Sequence, residues 1–434
     1  MEKETSQIKR RINQEEKQVI SRKSKRICIP IDEAVYKEIC EDPKEFRKYI
    51  DLCRVKHPEL FPSQMNQGYK CIGYCETSKK MPEVRIRRIK IKGEKAPYQV
   101  VPSFVMPYMT GYSKDVEKAM YLHFKYEVPF DGLVYAFGKN VSYWYRQCQQ
   151  LGRFSLVGTT AKNAEDLPEN IAADEKHTRW NGQTAYVATT VGEGCFWGTS
   201  ICLGADEHSF NDSYKVFKEE AQLVDESYEP KTVNTDGFFS TVKVWKKLFV
   251  TTTFIRCFLH AYLKIRNVAK HLDCFDTIAD YLWDAYKQPT CEGFINKLTI
   301  LQLWAELPTT SISERCLKTI SRICSNAYDY AIAYDHPQCL RTSNMLDRLM
   351  QKMDRYLFMM RYFHGHLDSA EISIRAWALT HNFLPFCSRS ARYKSFSSPV
   401  HQLTKSTYHD NWLQNLLVSA SLQPILVRTQ NPLE

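Results

Sequence analysis

The sequence has no apolar stretch approaching the roughly 18 residues that a helix needs to cross a bilayer, so no membrane-spanning segment is expected. It has no tandem repeat and no low-complexity tract, which argues against repeat and fibrous architectures. It also lacks a P-loop, the glycine pattern of a dinucleotide-binding fold and a nucleophile elbow, leaving nucleotide hydrolysis and serine-type acyl transfer without support. Among the 15 cysteines a pairing pattern is missing: they are scattered, and Cys202 and Cys257 lie in apolar runs. The chain begins with charges of both signs and no secretory segment, so reduced thiols in an intracellular, soluble protein are expected.

What is present suffices for several cores. The chain has 434 residues, 44% hydrophobic and 25% charged, enough for two to four compact units. Its formal charge is +10, and the excess is dense at Lys9, Arg10, Arg11, Lys17, Arg22, Lys23, Lys25 and Arg26. Such a balance favours a polyanionic partner through counterion release, with a solvated basic helix as the plain alternative.

Periodicity divides the chain into 1–100, a basic arm and small α+β region; 101–165, helical; 166–275, mixed; 276–340, wholly helical; and 341–434, helical with a basic tail. A helix is expected over 32–52, then short strands to about 103. Three helical pieces follow, 113–126, 130–137 and 142–151, with Gly138-Lys139-Asn140 as the break between the last two. A short helix, a turn and a second short helix is the helix-turn-helix arrangement, whose last helix would present Tyr143, Arg146, Gln147 and Gln150 outward to DNA. A three-helix subdomain packed on the core is the alternative.

From 170 the pattern changes to strands. Asn170 to Ala173 runs into Asp174; Asn181-Gly182 is a strong two-residue hairpin signal, followed by β-forming runs over 184–191 and 196–203. A helix over 209–224, a strand over 232–234, a helix over 240–248, a strand over 252–259 and a basic helix from Ala261 complete the order β-β-β-α-β-α-β-α. That is the order of the α/β ribonuclease H-like fold, a mixed five-stranded sheet, here with an all-helical insertion from Asp276 to about Asp335. A long helix over 341–363, capped by Gly365, a helix holding Trp377 and a last one over 412–422 follow.

Phosphodiester chemistry with two metals requires carboxylates from separate elements to converge, because hard cations prefer oxygen ligands. Asp174 on the first strand, Asp236 after the fourth in VNTDGF, and Asp347 in the first turn of the long helix, with Asn344 as its cap, suit that need. Glu175 must point to the opposite face from Asp174. Each acid has a plain alternative: a surface strand residue, an Asp-Gly turn, and an acid favouring the helix dipole. His260, in CFLH with Cys257, either contacts a phosphate, sits behind the metal ligands or is a core-edge histidine. Lys264, Arg266 and Lys270 form a basic helix face suited to phosphates or to solvent, as do Arg341, Arg348 and Arg355. Cys53, His57, Cys71 and Cys75 are a weak zinc candidate, since the Cys71-x-x-x-Cys75 spacing is loose.

With ADEKHT and its hairpin, VNTDGF, CFLH and RTSNMLDRLM leading to YFHG, the stretch from Asp174 to Phe383 resembles prokaryotic insertion-sequence transposases with an acidic triad. The group is the broad one that includes the Mutator-like enzymes. The resemblance implies metal-dependent cleavage at transposon ends and strand transfer into target DNA, with Asp174, Asp236 and Asp347 holding Mg²⁺ (or Mn²⁺), two ions in all. It further implies double-stranded DNA partners (terminal inverted repeats and target), a homo-oligomer on DNA, and a cytoplasmic, nucleoid-associated setting. One departure stands out: the third acid of such relatives is usually Glu, and Glu371 in DSAEISIR is the reserve for Asp347. A catalytically inactive, transposase-derived DNA-binding protein and a ribonuclease H-like nuclease are the alternative expectations.

Overall fold

The computed structural model describes residues 24–310 and 312–423, so the basic cluster through Lys23 lies outside the described residues. The chain opens with β1 (Arg26–Ile29), α1 (Glu33–Cys40), α2 (Pro43–Lys56), β2 (Tyr69–Tyr74), β3 (Arg87–Ile91) and β4 (Tyr98–Pro102). The single helix expected over 32–52 is two helices, because the Asp42 carboxylate accepts from the Lys44 and Glu45 amides and Pro43 occupies the first helical position. The strands form a sheet in the order β1-β4-β3-β2, with β1 parallel to β4.

Next come α3 (Ser113–Tyr126), α4 (Phe130–Phe137), α5 (Val141–Leu151) and α6 (Leu156–Thr160). The first three carry the bounds read from the sequence to within a residue. Asn140 caps α5, its side chain accepting from the Tyr143 amide at 2.8 Å.

The second sheet is built from β5 (Asn170–Trp180), β6 (Gln183–Gly192) and β7 (Cys195–Cys202), then α7 (Glu207–Gln222), β8 (Thr232–Thr235), α8 (Phe239–Leu248) and β9 (Thr253–Arg256). Asn181 and Gly182 have φ of 49° and 78°, Glu193 and Gly194 52° and 79°. Two successive positive φ values twist each hairpin with its strands, which is why both turns need two residues that tolerate this region. The order is β7-β6-β5-β8-β9, with β5-β6-β7 antiparallel and β5-β8-β9 parallel, giving a mixed five-stranded sheet. Alternation sends Ala173, Trp197 and Val233 into a core with α7 and α8; Ala172, Val187 and Phe196 face the other way.

The chain then becomes helical: α9 (Phe258–Ala269), α10 (Phe275–Tyr286), α11 (Cys291–Ala305), α12 (Glu314–Ser325) and α13 (Ala327–Ala331). These share a third core, which begins at Phe258 on α9, while the strand expected to reach 259 stops at Arg256. The last helices are α14 (Asn344–Met359), α15 (Leu367–Phe383), α16 (Pro399–Thr404) and α17 (Trp412–Ser419). The long helix stops at Met359, short of Phe363, because Arg361 and Tyr362 take positive φ. There the β5-β6 hairpin tip holds the chain: the Asn181 amide donates to the Phe363 carbonyl at 2.9 Å, and Trp180 Nε1 and Asn181 Nδ2 donate to the Gly365 carbonyl. Helices α14, α15 and α17 share one core with the first sheet and α3 to α5, and the Leu422 amide donates to the Arg26 carbonyl. Among the described residues no helix is long and apolar enough to cross a membrane.

Candidate metal centre

The parallel pairing of β5 with β8 sets the site. Ala172 is in register with Asn234, which brings Asp174 on β5 and Asp236, just past the end of β8, near enough for the Asp236 charge to act on Asp174, although Asp236 stands outside the ligand group that Asp174 forms with His260 and Asp347. Asp236 follows the last residue of β8, where its Oδ1 accepts from the Phe238 amide at 2.7 Å and shapes the turn into α8. Gly237 has φ of 85°, which favours glycine, and the Arg256 guanidinium packs beside it.

Two more groups arrive from the helical side. His260 sits in the first turn of α9, and Asp347 in the first turn of α14. Ligand atoms of Asp174, His260 and Asp347 all lie within 4.8 Å of one another. A chain of hydrogen bonds locks the last two elements together: Cys257 Sγ donates to Ser343 Oγ at 3.3 Å, and Ser343 Oγ donates to Asp347 Oδ2 at 2.8 Å. Ser343, not Asn344, is the N-cap residue of α14.

The electrostatics follow from crowding. Burial, then the neighbouring Asp236 charge, push the Asp174 carboxyl up to about 6. His260 is pushed up to about 9 by the Cys257 thiol beside it and by Asp174 and Asp347, against the opposing effect of burial. On the other face Glu175 is raised to about 7 by burial, although Tyr214 Oη and Thr241 Oγ1 donate to it at 2.6 and 2.7 Å. Glu175 is therefore a supporting group behind the sheet, as strand alternation requires.

A divalent cation suits this donor set. Donors about 2.1 Å from one ion stand up to about 4.2 Å apart, so small side-chain rotations close the observed group onto a metal.

The other sequence candidates fall elsewhere. Glu371 on α15 accepts from the Ile201 amide on β7 at 2.6 Å, two strands away from β5, so Asp347 is the acid that joins the group. Gln147 and Gln150 are buried, 1% and 8% exposed, where the sequence reading turned them outward; both accept from Thr110 Oγ1 at 3.2 Å. The cause is long-range: the end of α5 packs on α15, with Gln149 Nε2 donating to Ser373 Oγ. Tyr143 is half-buried against Trp144, and only Arg146 of the four is fully outward. Lys264, Arg266 and Lys270 are exposed, and Lys264 lines a groove of about 720 Å³ with Arg256, Arg315, Lys318 and Arg322. Cys53, His57, Cys71 and Cys75 do not form a ligand group; among the described residues only Asp174, His260 and Asp347 do.

Sequence reasoning missed Ser343, whose place beside Asp347 is fixed by a contact with Cys257 across 86 positions of chain. No family model matches the chain, and no curated protein matches it.

Proposed function

We propose that this chain is a DNA transposase with a ribonuclease H-like core, in which Asp174, Asp236 and Asp347 hold divalent metal, Mg²⁺ or Mn²⁺, and His260 completes the donor set. The observation that carries the reading is the meeting of Asp174 from β5 and Asp347 from the start of α14 with His260, beside Asp236, whose charge reaches the Asp174 carboxyl from the end of β8. Strand order β7-β6-β5-β8-β9, with helices inserted between β9 and α14, supports the ribonuclease H-like part. The groove around Lys264 supports a polyanionic substrate through Lys264, Arg315 and Arg322, while its Lys318 and Arg256 are paired with Glu314 and Asp329.

When bound, the metal would polarise a phosphoryl oxygen and lower the pKa of a coordinated water. The chain's own residues do the positioning. Ser343 orients the Asp347 carboxylate, the Phe238 amide orients Asp236, and the Glu175 amide orients Asp174 at 2.8 Å. The reaction is then hydrolysis of a phosphodiester at an element end, which frees a 3′-hydroxyl, followed by attack of that hydroxyl on a target phosphodiester, whose own 3′-oxygen departs as a hydroxyl. Two ends must be held at once, so a homo-oligomer on DNA is part of the reading.

The test is a nicking assay on a plasmid carrying the DNA that flanks the gene, with Mg²⁺ or Mn²⁺ added. Asp236→Asn is expected to abolish cleavage while DNA binding persists. Equal cleavage by the variant would end the assignment.

A further inference from the structure

Helix α14 has two charged sides. Asp347 and Asp354, seven positions apart, turn toward β5, where Lys176 Nζ bonds Asp354 at 2.6 Å. On the adjoining side Arg348, Lys352 and Arg355 form a stripe at helical spacing. This stripe faces Lys125 at the end of α3 and Arg392 in the turn over 391–394, enclosing a cavity of about 580 Å³.

The charge there is one-sided. Glu127 is the one carboxylate on the cavity wall, and it lies 3.5 Å from Arg355. Among the described residues no carboxylate pairs with Arg348, Lys352 or Arg392. Burial, then the Lys125, Arg355 and Arg392 charges, bring Lys352 down to about 8. Cations gathered in a concavity repel one another, and their field draws in a multivalent anion.

We propose that this cavity binds the phosphodiester backbone of a DNA strand running on from the metal centre, along the flank of α14 that adjoins the Asp347 side chain. Nucleic acid fits better than a small anion because the cations are spread along two turns of helix and a facing loop, matching successive phosphates. The proposal rests on the reading of the metal centre as a DNA-processing site.

The test measures binding of a fluorescent DNA strand and of a duplex by anisotropy across salt concentrations, with Lys352→Ala/Arg392→Ala against wild type. The double variant should bind about tenfold more weakly at low salt, with the log-log salt slope reduced by about 1 per cation removed. The charge-conserving Lys352→Arg/Arg392→Lys variant should bind as wild type does, and so should Lys44→Ala on α2. Unchanged affinity and slope in the alanine variant would overturn the proposal, as would equal displacement of the DNA by inorganic phosphate at matched phosphate concentration. The two readings separate cleanly. Pocket-dependent binding without metal-dependent nicking would sink the transposase assignment alone, and nicking with pocket-independent binding would sink the cavity alone.

Discussion

Replacing Asp174 by Asn should stabilise the metal-free protein and destabilise it relative to wild type once Mn²⁺ is added. The Asp174 carboxyl rises from the ordinary aspartate range near 4 to about 6, through burial and the Asp236 charge. A raised folded-state pKa means that the folded protein binds more protons than the unfolded chain between about pH 4 and 6. Stability is therefore lost as pH rises through that window. Two pKa units correspond to about 3 kcal/mol, and partial solvent access to Asp174 reduces this to about 1–3 kcal/mol at pH 7.5. The asparagine of the variant keeps an oxygen for the Glu175 amide, which donates to the aspartate at 2.8 Å, and does not ionise. In EDTA at pH 7.5 the variant should melt a few °C higher in a thermal scan, and the gap should close below pH 4. Mn²⁺ at about 1,000 times its Kd stabilises a protein that binds it by about 4.1 kcal/mol, more than the variant's advantage and a gain that Asp174→Asn forfeits, so the order of melting should invert. If the variant melts no higher than wild type in EDTA, the electrostatic account of the site is wrong.

The remaining expectations concern the shell of the site and the cores that hold it. Ser343→Ala, which removes the hydrogen bond to Asp347 Oδ2, should weaken Mn²⁺ binding about tenfold by calorimetry, and unchanged affinity would dismiss the orienting role. Glu220 and Arg375 form an ion pair 5% and 1% exposed, reinforced by Ser155 Oγ and the Val157 amide. Glu220→Ala should cost about 3–5 kcal/mol in urea unfolding by stranding a buried guanidinium, and a loss under 1 kcal/mol would refute this. His123 is buried, stacked on Phe130, with Nδ1 2.8 Å from the Val128 carbonyl, Nε2 without a partner and its pKa lowered to about 4 by burial. The unfolded chain then binds the extra proton between pH 6.5 and 4, so stability should fall by about 3 kcal/mol as pH drops through that window. His123→Leu should flatten this slope in pH-dependent denaturation, and an equal slope would reject the histidine as its source.

Much of the architecture was legible because its signals are local. Asn181-Gly182 marks a hairpin through the φ values its two residues tolerate, and α3, α4 and α5 end where capping and turn residues interrupt the periodicity. The identity of Asp174, Asp236 and Asp347 as candidates also came from local context, namely a strand, a strand end and a helix start. The outward face assigned to α5 failed because burial depends on what packs against a helix, and its partner α15 lies more than 200 residues away.

The order of residues thus settles which segments turn, which extend and which coil, since sterics and periodicity act over a few neighbours. Tertiary packing was needed to decide that β5 and β8 pair in parallel with Ala172 beside Asn234, that His260 enters the acidic group, and that Glu371 is spent on β7. Those outcomes depend on register and packing between distant segments, and no short window of sequence contains both partners.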